Sequence, residues 1–221
     1  MNFIADVINL YKDRFDFFAG LFVQHVLLSA IAVLFITVIG LFLGIYITRN
    51  RKAAGIVLGI TNFIYTIPSI ALFGFLVALS GIGNTSALIA LTVYGVLPII
   101  RNTYVGINEV DSQVVESAVG MGSTDMQLLR KIQLPLALPV IIAGFRTMVV
   151  MTIALSGIAS FIGAGGLGVA IWRGITTNYP EMTAAGSILV AMLAVASDFL
   201  IGVFEKKARK RILGTEKAGG L

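Results

Sequence analysis

Five long apolar runs, separated by short charged connections, dominate the chain. They cover residues 26–47, 53–79, 85–107, 136–162 and 182–204. Each run is at least as long as the ~20 residues that a helix needs to cross a hydrocarbon core of about 30 Å. An unpaired backbone amide is costly in lipid, so each run must be helical. The pattern therefore predicts an all-α integral membrane protein with five transmembrane helices.

The residues before the first run have a helical periodicity of their own. Apolar side chains recur at three- and four-residue spacing at Ile4, Val7, Ile8, Tyr11, Phe15 and Phe18. This pattern predicts that residues 1–19 form an amphipathic segment lying in the membrane interface. Residues 20–205 then form the transmembrane domain.

The connection between the third and fourth runs, residues 108–135, is more structured than a simple linker. Asp111 is placed to cap one short helix, and Thr124 with Gln127 has the spacing of a capping box for a second. Apolar residues stand among the polar ones at Val114, Val115, Ala118, Met126, Leu128 and Leu129. Nothing obvious in the chain covers them, so we expect the loop to bind a partner.

The composition excludes several other classes of protein. Apolar residues make up 57% and charged residues 12% of the 221 residues, with a mean hydropathy of +0.96. Soluble domains contain about 45–50% apolar and about 25% charged residues. An ordinary soluble enzyme, a disordered tail and a nucleic-acid-binding module are therefore excluded. With no cysteine and one histidine, the chain also lacks the residues for thiolate and multi-histidine metal sites.

The distribution of basic residues predicts the orientation. Eleven lie in connections on one side: Arg49, Arg51, Lys52, Arg130, Lys131, Lys206, Lys207, Arg209, Lys210, Arg211 and Lys217. Three lie on the other side: Lys12, Arg14 and Arg173. The positive-inside rule then places the N-terminus outside and the C-terminus in the cytoplasm. The basic tail, residues 206–221, either follows this rule or senses ionic strength.

Three charged residues lie inside the predicted spans. Arg101, Arg146 and Asp198 are expected roughly 9–15 Å inside the cytoplasmic interface, from the rise of a helix. Unpaired charges are costly at this depth. Asp198 is the only acid within the runs, and Arg101 is close enough to extend its head group to the interface. We therefore predict an Arg146–Asp198 ion pair, which either fixes helix packing or acts as a gate.

Two pairs of glycines are spaced for close contacts between helices. Gly40 and Gly44 lie in the first run, and Gly55 and Gly59 lie in the second. Small residues four positions apart allow helix backbones to approach closely in a membrane. These contacts are either within the chain or with a second copy or homologue.

Two further patterns suggest chemistry that the context does not favour. Residues 163–168 have the glycine spacing of a dinucleotide-binding loop but follow a transmembrane helix, so an outer turn is favoured. His25 with Ser156 or Ser160 would suit an intramembrane hydrolase, but no nucleophile motif stands near a base. His25 is instead expected at the outer membrane interface. The sequence contains no phosphate-binding loop motif.

The inner loop carries a motif that resembles that of one transporter family. Bacterial binding-protein-dependent ABC importer permeases have Glu-Ala-Ala, three residues, Gly, nine residues and Ile-x-Leu-Pro. This chain has the matching residues in the same register, namely Glu116, Ser117, Ala118, Gly122, Ile132, Leu134 and Pro135. Ser117 is the one departure, a small residue in place of a small residue. The resemblance implies the type I importer permease fold and a coupling helix that binds a cytoplasmic ATPase.

Further segments are similar to osmoprotectant uptake permeases, which carry glycine betaine, carnitine or choline. They are residues 66–69, 97–104, 144–147 and 161–168. Six residues in them are candidates for the pathway or a gate: Thr66, Pro68, Ser69, Gly163, Gly165 and Gly166. Methionine permeases share the architecture, so a methionine-type importer is the alternative.

The resemblance also implies the partners. A second permease subunit would complete the pathway, two cytoplasmic ATPase subunits would bind ATP and Mg²⁺, and an extracytoplasmic protein would deliver the substrate. This chain is then a transport subunit in the bilayer of the bacterial cytoplasmic membrane. No catalytic residue, bound cofactor, metal or nucleic acid is expected for it. A secondary transporter or channel that works without ATP is the other alternative.

Overall fold

A computed structural model describes residues 2–213, with side chains to residue 210. The α-helices are α1 (Phe3–Asp13), α2 (Phe15–Thr48), α3 (Arg51–Thr66), α4 (Ser69–Ser80), α5 (Asn84–Asn108), α6 (Ser112–Gly120), α7 (Asp125–Leu128), α8 (Leu134–Ala159), α9 (Gly168–Thr176) and α10 (Pro180–Leu213). Within this range every regular element is helical, which confirms the predicted all-α fold. The end of the predicted basic tail, residues 214–221, lies outside the described residues.

The second predicted span is divided into two helices. Four helices in the described range are each long and apolar enough to cross a membrane, namely α2, α5, Asp125–Ile162 and α10. α3 and α4 meet at an angle of 100°, and counting this bent pair as one span gives five. The expectation of one continuous helix over residues 53–79 is therefore wrong.

The bend between α3 and α4 lies at Ile67 and Pro68. Ile67 is extended, with φ −70° and ψ 128°, because the ring of a following proline disfavours the helical conformation. Pro68 also lacks the N–H that would continue the bonding pattern of α3. The last carbonyls of α3 therefore have no helical N–H groups ahead of them, near the middle of the predicted span.

The fourth spanning helix begins earlier in the chain than predicted. α7, a π-helical turn at Leu129–Gln133 and α8 follow one another without a break, so this helix begins at Asp125 instead of residue 136. The π turn ends at Gln133, two residues before Pro135, whose missing N–H disturbs the regular bonding pattern. The predicted second short helix of the inner loop is thus the first turn of a spanning helix.

α5 forms the centre of the bundle, with α2, α3, α4 and α8 packed against it. Glycines of α2 allow the α2–α5 backbones to approach. A Cβ on Gly40 would lie 2.6 Å from Ile99 Cγ2, and one on Gly44 would lie 2.6 Å from Thr103 Cβ. This first glycine pair therefore serves packing within the chain.

α1 packs against the bundle at its predicted outer end. Val7 and Leu10 are buried in a cluster with Met182 and Ala185 of α10. The Tyr11 hydroxyl donates a hydrogen bond of 2.7 Å to the Ala185 carbonyl. Burial raises the pKa of Tyr11, so its hydroxyl remains a neutral donor at physiological pH. One face of the predicted amphipathic segment is thus held by protein.

His25 is buried inside the protein, and its depth in the membrane remains a prediction. α2 begins at Phe15, ten residues earlier, so His25 lies about 15 Å along the helix. Its side chain is fully buried, and Nε2 lies 3.0 Å from the Ile153 carbonyl oxygen of α8. His25 therefore links α2 to α8, a contact that the apolar run by itself does not predict.

Candidate functional site

The inner loop contains both of the helix caps that the sequence predicts. The Asp111 carboxylate accepts a hydrogen bond of 2.8 Å from the Gln113 N–H at the start of α6. Thr124 and Gln127 form a complete capping box. The Thr124 N–H donates to Gln127 Oε1 at 2.9 Å, and the Gln127 N–H donates to Thr124 Oγ1 at 3.3 Å. The caps define where each helix of the loop begins.

Gly122 lies at the joint between α6 and α7. Its φ is +85°, in the left-handed region that favours glycine. The Gly122 N–H donates to the Val119 carbonyl at 2.9 Å, and the Ser123 N–H donates to the Ala118 carbonyl at 3.1 Å. No described atom lies within 4 Å of the position that a Cβ would occupy. The requirement for glycine therefore comes from the backbone and not from crowding.

Half of the apolar residues predicted to be unprotected in this loop are buried. Ala118 and Leu128 are buried, and Leu129 packs in a cluster with Ile107 and Ile141. The expectation was wrong for Ala118, Leu128 and Leu129. For Leu128 and Leu129 the reason is that α7 continues into α8, so the inner side of this helix faces the bundle.

Other apolar side chains of the loop remain exposed. They form what we term the inner apolar surface: Val114, Val119, Met121 and Met126. Met121, directly before the joint, is 81% exposed. Arg49, at the end of α2, donates a hydrogen bond of 2.9 Å to the Asp125 carbonyl and so ties the loop to the bundle. A fixed and exposed apolar surface is typical of a protein-binding site.

The residues of the inner-loop motif lie on two helices. Glu116 and Ser117 are exposed on α6. Ile132 and Leu134 are half-buried at the base of the fourth spanning helix, and Pro135 is exposed there. The motif therefore spans the joint between the loop and a membrane helix.

Arg146 of α8 and Asp198 of α10 form a bidentate ion pair. Arg146 Nε lies 2.6 Å from Asp198 Oδ1, and Nη2 lies 2.6 Å from Oδ2. Arg146 Nη1 also donates to Glu205 Oε2 at 3.2 Å. Glu205 was not among the predicted site residues. It follows Asp198 by two helical turns and so lies on the same face, which is the sequence signal for it.

Arg101, the third predicted intramembrane charge, is not part of this cluster. It is exposed on α5 and forms no ion pair with any described residue. The side chains of Arg146 and Asp198 are themselves 36% and 41% exposed. All three charges therefore reach the surface of the single chain.

α3 has a polar face at the level of the bend. Asn62, Tyr65 and Thr66 are exposed there, at positions i, i+3 and i+4. The exposed large side chains of α2 and α10 are instead predominantly apolar, as expected next to lipid. This face was not predicted, although three polar residues at helical spacing within an apolar run are a signal for it.

The candidate pathway and gate residues lie in two separate places. Thr66 and Pro68 are exposed at the bend between α3 and α4, and Ser69 is half-buried. The glycines lie in the turn before α9, with φ values of 80°, 76° and 80° at Gly163, Gly165 and Gly166. One set is therefore at the middle of a span, and the other is at the ends of spans.

The glycine-rich turn folds back against the bundle. The Gly83 N–H donates to the Ile162 carbonyl at 2.9 Å, and the Gly166 N–H donates to Gln24 Oε1 at 3.2 Å. A Cβ on Gly166 would lie 3.0 Å from His25 Nδ1. The turn follows a helix, whereas a dinucleotide-binding loop follows a strand.

Ser156 and Ser160 form no hydrogen bond with His25, and all three residues bond to backbone carbonyls. The Ser156 hydroxyl donates to the Thr152 carbonyl at 2.8 Å, and the Ser160 hydroxyl donates to the Gly157 carbonyl at 2.8 Å. His25 bonds to α8 as described above. The described residues thus contain no serine–histidine pair of the kind that a hydrolase needs.

Comparison with known proteins identifies the family. Residues 36–210 match the family described as binding-protein-dependent transport system inner membrane component. The chain belongs to this family of ABC transporter permeases. It is therefore a transport subunit, and a multi-pass protein of the bacterial plasma membrane.

Curated relatives match over most of their length. The choline transport system permease protein OpuBB of Bacillus subtilis (strain 168) is 42% identical over 184 residues, which are 83% of this chain and 85% of the relative. The carnitine transport permease protein OpuCD of Listeria monocytogenes serotype 1/2a (strain 10403S) is 40% identical over 207 residues, 93% of each chain. The glycine betaine/carnitine/choline transport system permease protein OpuCD of B. subtilis is 44% identical over 186 residues, which are 84% of this chain and 81% of the relative. These matches confirm the resemblance to osmoprotectant permeases.

Solved structures of importers share the fold. An inward-facing conformation of the MetNI methionine ABC transporter superposes with a TM-score of 0.77 at 25% identity, covering 86% of this chain and 95% of that one. An amino acid ABC transporter crystallised with histidines gives a TM-score of 0.76 at 18% identity, covering 94% and 99%, and this shows the fold alone. The expected type I importer permease fold is confirmed. The orientation of the termini remains a prediction.

Proposed function

We propose that this chain is the permease of an ATP-driven importer that moves a small osmoprotectant, such as glycine betaine, carnitine or choline, by alternating access. The observation that carries the proposal is 40–44% identity to permeases named for these compounds. The matched regions include more than four-fifths of each chain. The likeness therefore extends well beyond the inner-loop motif.

Energy enters through the inner loop in this proposal. The inner apolar surface, held by two helix caps and by Arg49, suits a groove on a cytoplasmic ATPase that binds ATP and Mg²⁺. The exposed Glu116 and Ser117 would lie at the edge of that contact. Because α7 continues into α8 without a break, movement of the loop would be passed directly to a spanning helix. Two such ATPase subunits would serve two permeases.

A second permease subunit, identical or homologous, would cover the polar face of α3. Polar side chains inside a membrane face protein or a water-filled cavity, because contact with lipid is costly. Gly55 and Gly59 precede Asn62 and Thr66 on the same stripe, at four-, seven- and eleven-residue spacing from Gly55. A Cβ on either glycine would meet no described atom within 4 Å, which leaves room for a neighbouring helix. The pathway would then run between the two permeases.

Uptake into proteoliposomes tests the proposal. The purified chain is reconstituted with its ATPase, partner permease and extracytoplasmic binding protein, with ATP on the ATPase side. Labelled glycine betaine, carnitine, choline and methionine are offered on the other side. We expect ATP-dependent uptake of at least one quaternary ammonium compound and no flux through the chain alone.

Two results would contradict the proposal in different ways. Uptake of methionine alone would favour the methionine-type importer, to which the likeness to MetNI draws attention. Flux of solute through the chain alone, without ATP, would identify a channel or a secondary transporter.

A further inference from the structure

Two tyrosines and a methionine from three spans meet near the middle of the membrane. The rings of Tyr65 on α3 and Tyr94 on α5 have centroids 5.7 Å apart and planes inclined at 53°. The Tyr65 hydroxyl donates to Met151 Sδ of α8 at 3.1 Å. α5 runs from Asn84 to Asn108, so Tyr94 lies roughly 15 Å from its predicted outer end. The cluster is therefore at about half depth.

This tyrosine cluster is open on the side of the proposed pathway. Tyr65 is 43% exposed, on the polar face that also carries Asn62 and Thr66. Tyrosines exposed to lipid favour the membrane–water interface, where the hydroxyl is hydrated. An exposed tyrosine at half depth is therefore better explained by contact with protein or with a polar pathway.

Tyr94 contributes a hydroxyl that is buried and without a partner. The residue is 6% exposed, and its hydroxyl oxygen has no hydrogen bond to any described group. Buried polar groups are nearly always hydrogen-bonded, because leaving one unpaired is costly. A ligand oxygen that arrives when the Tyr65 ring turns aside would satisfy the Tyr94 hydroxyl.

The helices around the cluster offer a cation no carboxylate. Residues 51–108, which comprise α3, α4 and α5, contain no aspartate or glutamate. A quaternary ammonium group forms no conventional hydrogen bonds, and the negative faces of aromatic rings attract it. The polarizable thioether of Met151 also suits contact with such a group. The composition of the cluster thus matches this chemical group.

We infer that Tyr65 and Tyr94 form half of a binding site for the quaternary ammonium group of the transported solute. The inference rests on the proposed function. Tyr65 presents its ring to the cation, and the Tyr94 hydroxyl donates to an oxygen of the solute. Choline, carnitine and glycine betaine each join a trimethylammonium group to a hydroxyl or carboxylate. The second permease supplies the other half of the site.

Direct binding tests the role of the Tyr65 ring. Labelled choline and tetramethylammonium are titrated against the assembled permease–ATPase complex in lipid nanodiscs, without the binding protein. We expect Tyr65→Leu to lower the affinity for both ligands about tenfold. Tyr65→Phe keeps the ring and should change these affinities less than about twofold. Phe63→Leu is the matched control, because Phe63 is exposed on the opposite side of α3.

Two further comparisons separate the ring from the hydroxyl. Tyr94→Phe is expected to lower the affinity for choline about fivefold. The affinity for tetramethylammonium should not change, since this ion has no oxygen to accept a hydrogen bond. The uncharged isostere 3,3-dimethylbutan-1-ol is expected to bind equally to the native and Tyr65→Leu complexes. Weaker binding of this uncharged isostere to the Tyr65→Leu complex would show that the substitution acts sterically and not through a cation–π contact.

Failure of this site can be told apart from failure of the proposed function. Equal choline binding by the native and Tyr65→Leu complexes, or no binding of either probe by the native complex, would overturn the site. If the native transporter still takes up choline, carnitine or glycine betaine with ATP, the proposed function stands and only the site is wrong. If it transports none of them, the proposed function itself fails.

Discussion

Arg146 is held by two carboxylates, one of which lies beyond the predicted fifth span. The planar guanidinium matches both oxygens of Asp198, and its remaining amino group reaches Glu205. Both carboxylates belong to α10, so the cluster ties α10 to α8 at two levels. A fixed link between these helices and a gate that opens during transport predict different effects of substitution.

A double-variant cycle separates the two roles. Asp198→Asn and Arg146→Gln are each expected to lower the thermal unfolding temperature of the purified protein. The first removes the bidentate partner of Arg146, and the second leaves two carboxylates without their cation. Asp198→Asn should be the milder change, since Glu205 still pairs with Arg146. The double variant should lose clearly less stability than the two single losses added together.

Arg101→Gln is the control for this cycle, because Arg101 forms no ion pair with the described residues. Its unfolding temperature should stay close to that of the native protein. A fixed link predicts that the double variant both assembles and transports, whereas a gate predicts assembly without transport. Simple additivity of the two single losses would show that Arg146 and Asp198 do not interact.

At the scale of the helices, packing decides which prolines break an element. Pro68 ends α3 and bends the chain by 100°, whereas Pro98 and Pro139 lie within continuous helices. α5, which contains Pro98, is surrounded by four other helices. α3 packs against fewer helices, so Pro68 is free to end the helix and bend the chain.

Glycine substitutions test the packing of α2 on α5. Gly44→Val is expected to destabilise the protein by about 1–3 kcal/mol, because its Cβ would lie 2.6 Å from Thr103 Cβ. Gly59→Val on α3 is the matched control, since a Cβ there meets no described atom within 4 Å. Its effect on the stability of the single chain should stay within about 0.5 kcal/mol.

The same pair distinguishes contacts within the chain from contacts between permeases. If the face of α3 that carries Gly55 and Gly59 contacts a second permease, Gly59→Val weakens subunit association. Gly44→Val instead lowers the stability of the single chain. Denaturant unfolding of the single chain and cross-linking of the assembled pair measure the two effects. Equal unfolding losses for both variants would contradict the assignment.

The joint in the inner loop is tested by two glycines that are two residues apart. Gly122→Val places a β-branched residue at φ +85°, with a strain of about 1–2 kcal/mol or more. We expect it to reduce ATP-driven uptake severalfold while leaving membrane insertion unchanged. Gly120→Val is the control, because Gly120 is equally uncrowded and its φ is not positive. Normal uptake by the Gly122→Val protein would count against the coupling role of the loop.

At the scale of the whole molecule, the chain completes its own core but leaves two surfaces unfinished. One is the inner apolar surface of the loop, and the other is the polar face of α3. The first is expected at the cytoplasmic side and the second within the membrane. In the proposed function, the ATPase would cover the first surface and a second permease would cover the second.

Cysteine labelling tests the orientation on which this arrangement depends. The chain contains no cysteine, so single cysteines can be introduced into the native sequence. Gly81, Tyr179, Asp111 and Lys210 are all exposed. We expect an impermeant thiol reagent to reach positions 81 and 179 from outside, and positions 111 and 210 only after the cells are opened. Labelling of position 111 in intact cells would contradict the predicted orientation.

Much of the fold follows from short stretches of sequence. Apolar run length indicated the spans, and side chains within three residues of each other indicated the caps at Asp111 and Thr124. Elimination among three charges was enough to propose Arg146 as the partner of Asp198, and these side chains lie 2.6 Å apart. Each of these features depends on residues within one helix, or on a charge that must find a counter-ion in lipid.

Other features were decided only by the tertiary structure. The burial of His25, the covering of Leu128 and Leu129 and the third bond of Arg146 to Glu205 depend on which helix faces meet. So does the pairing of Tyr65 with Tyr94, from two different spans. Hydropathy and capping are local properties that the sequence determines by itself. Contacts between distant residues depend on packing, because the same apolar helix can bury any of several faces, and only its neighbours select one.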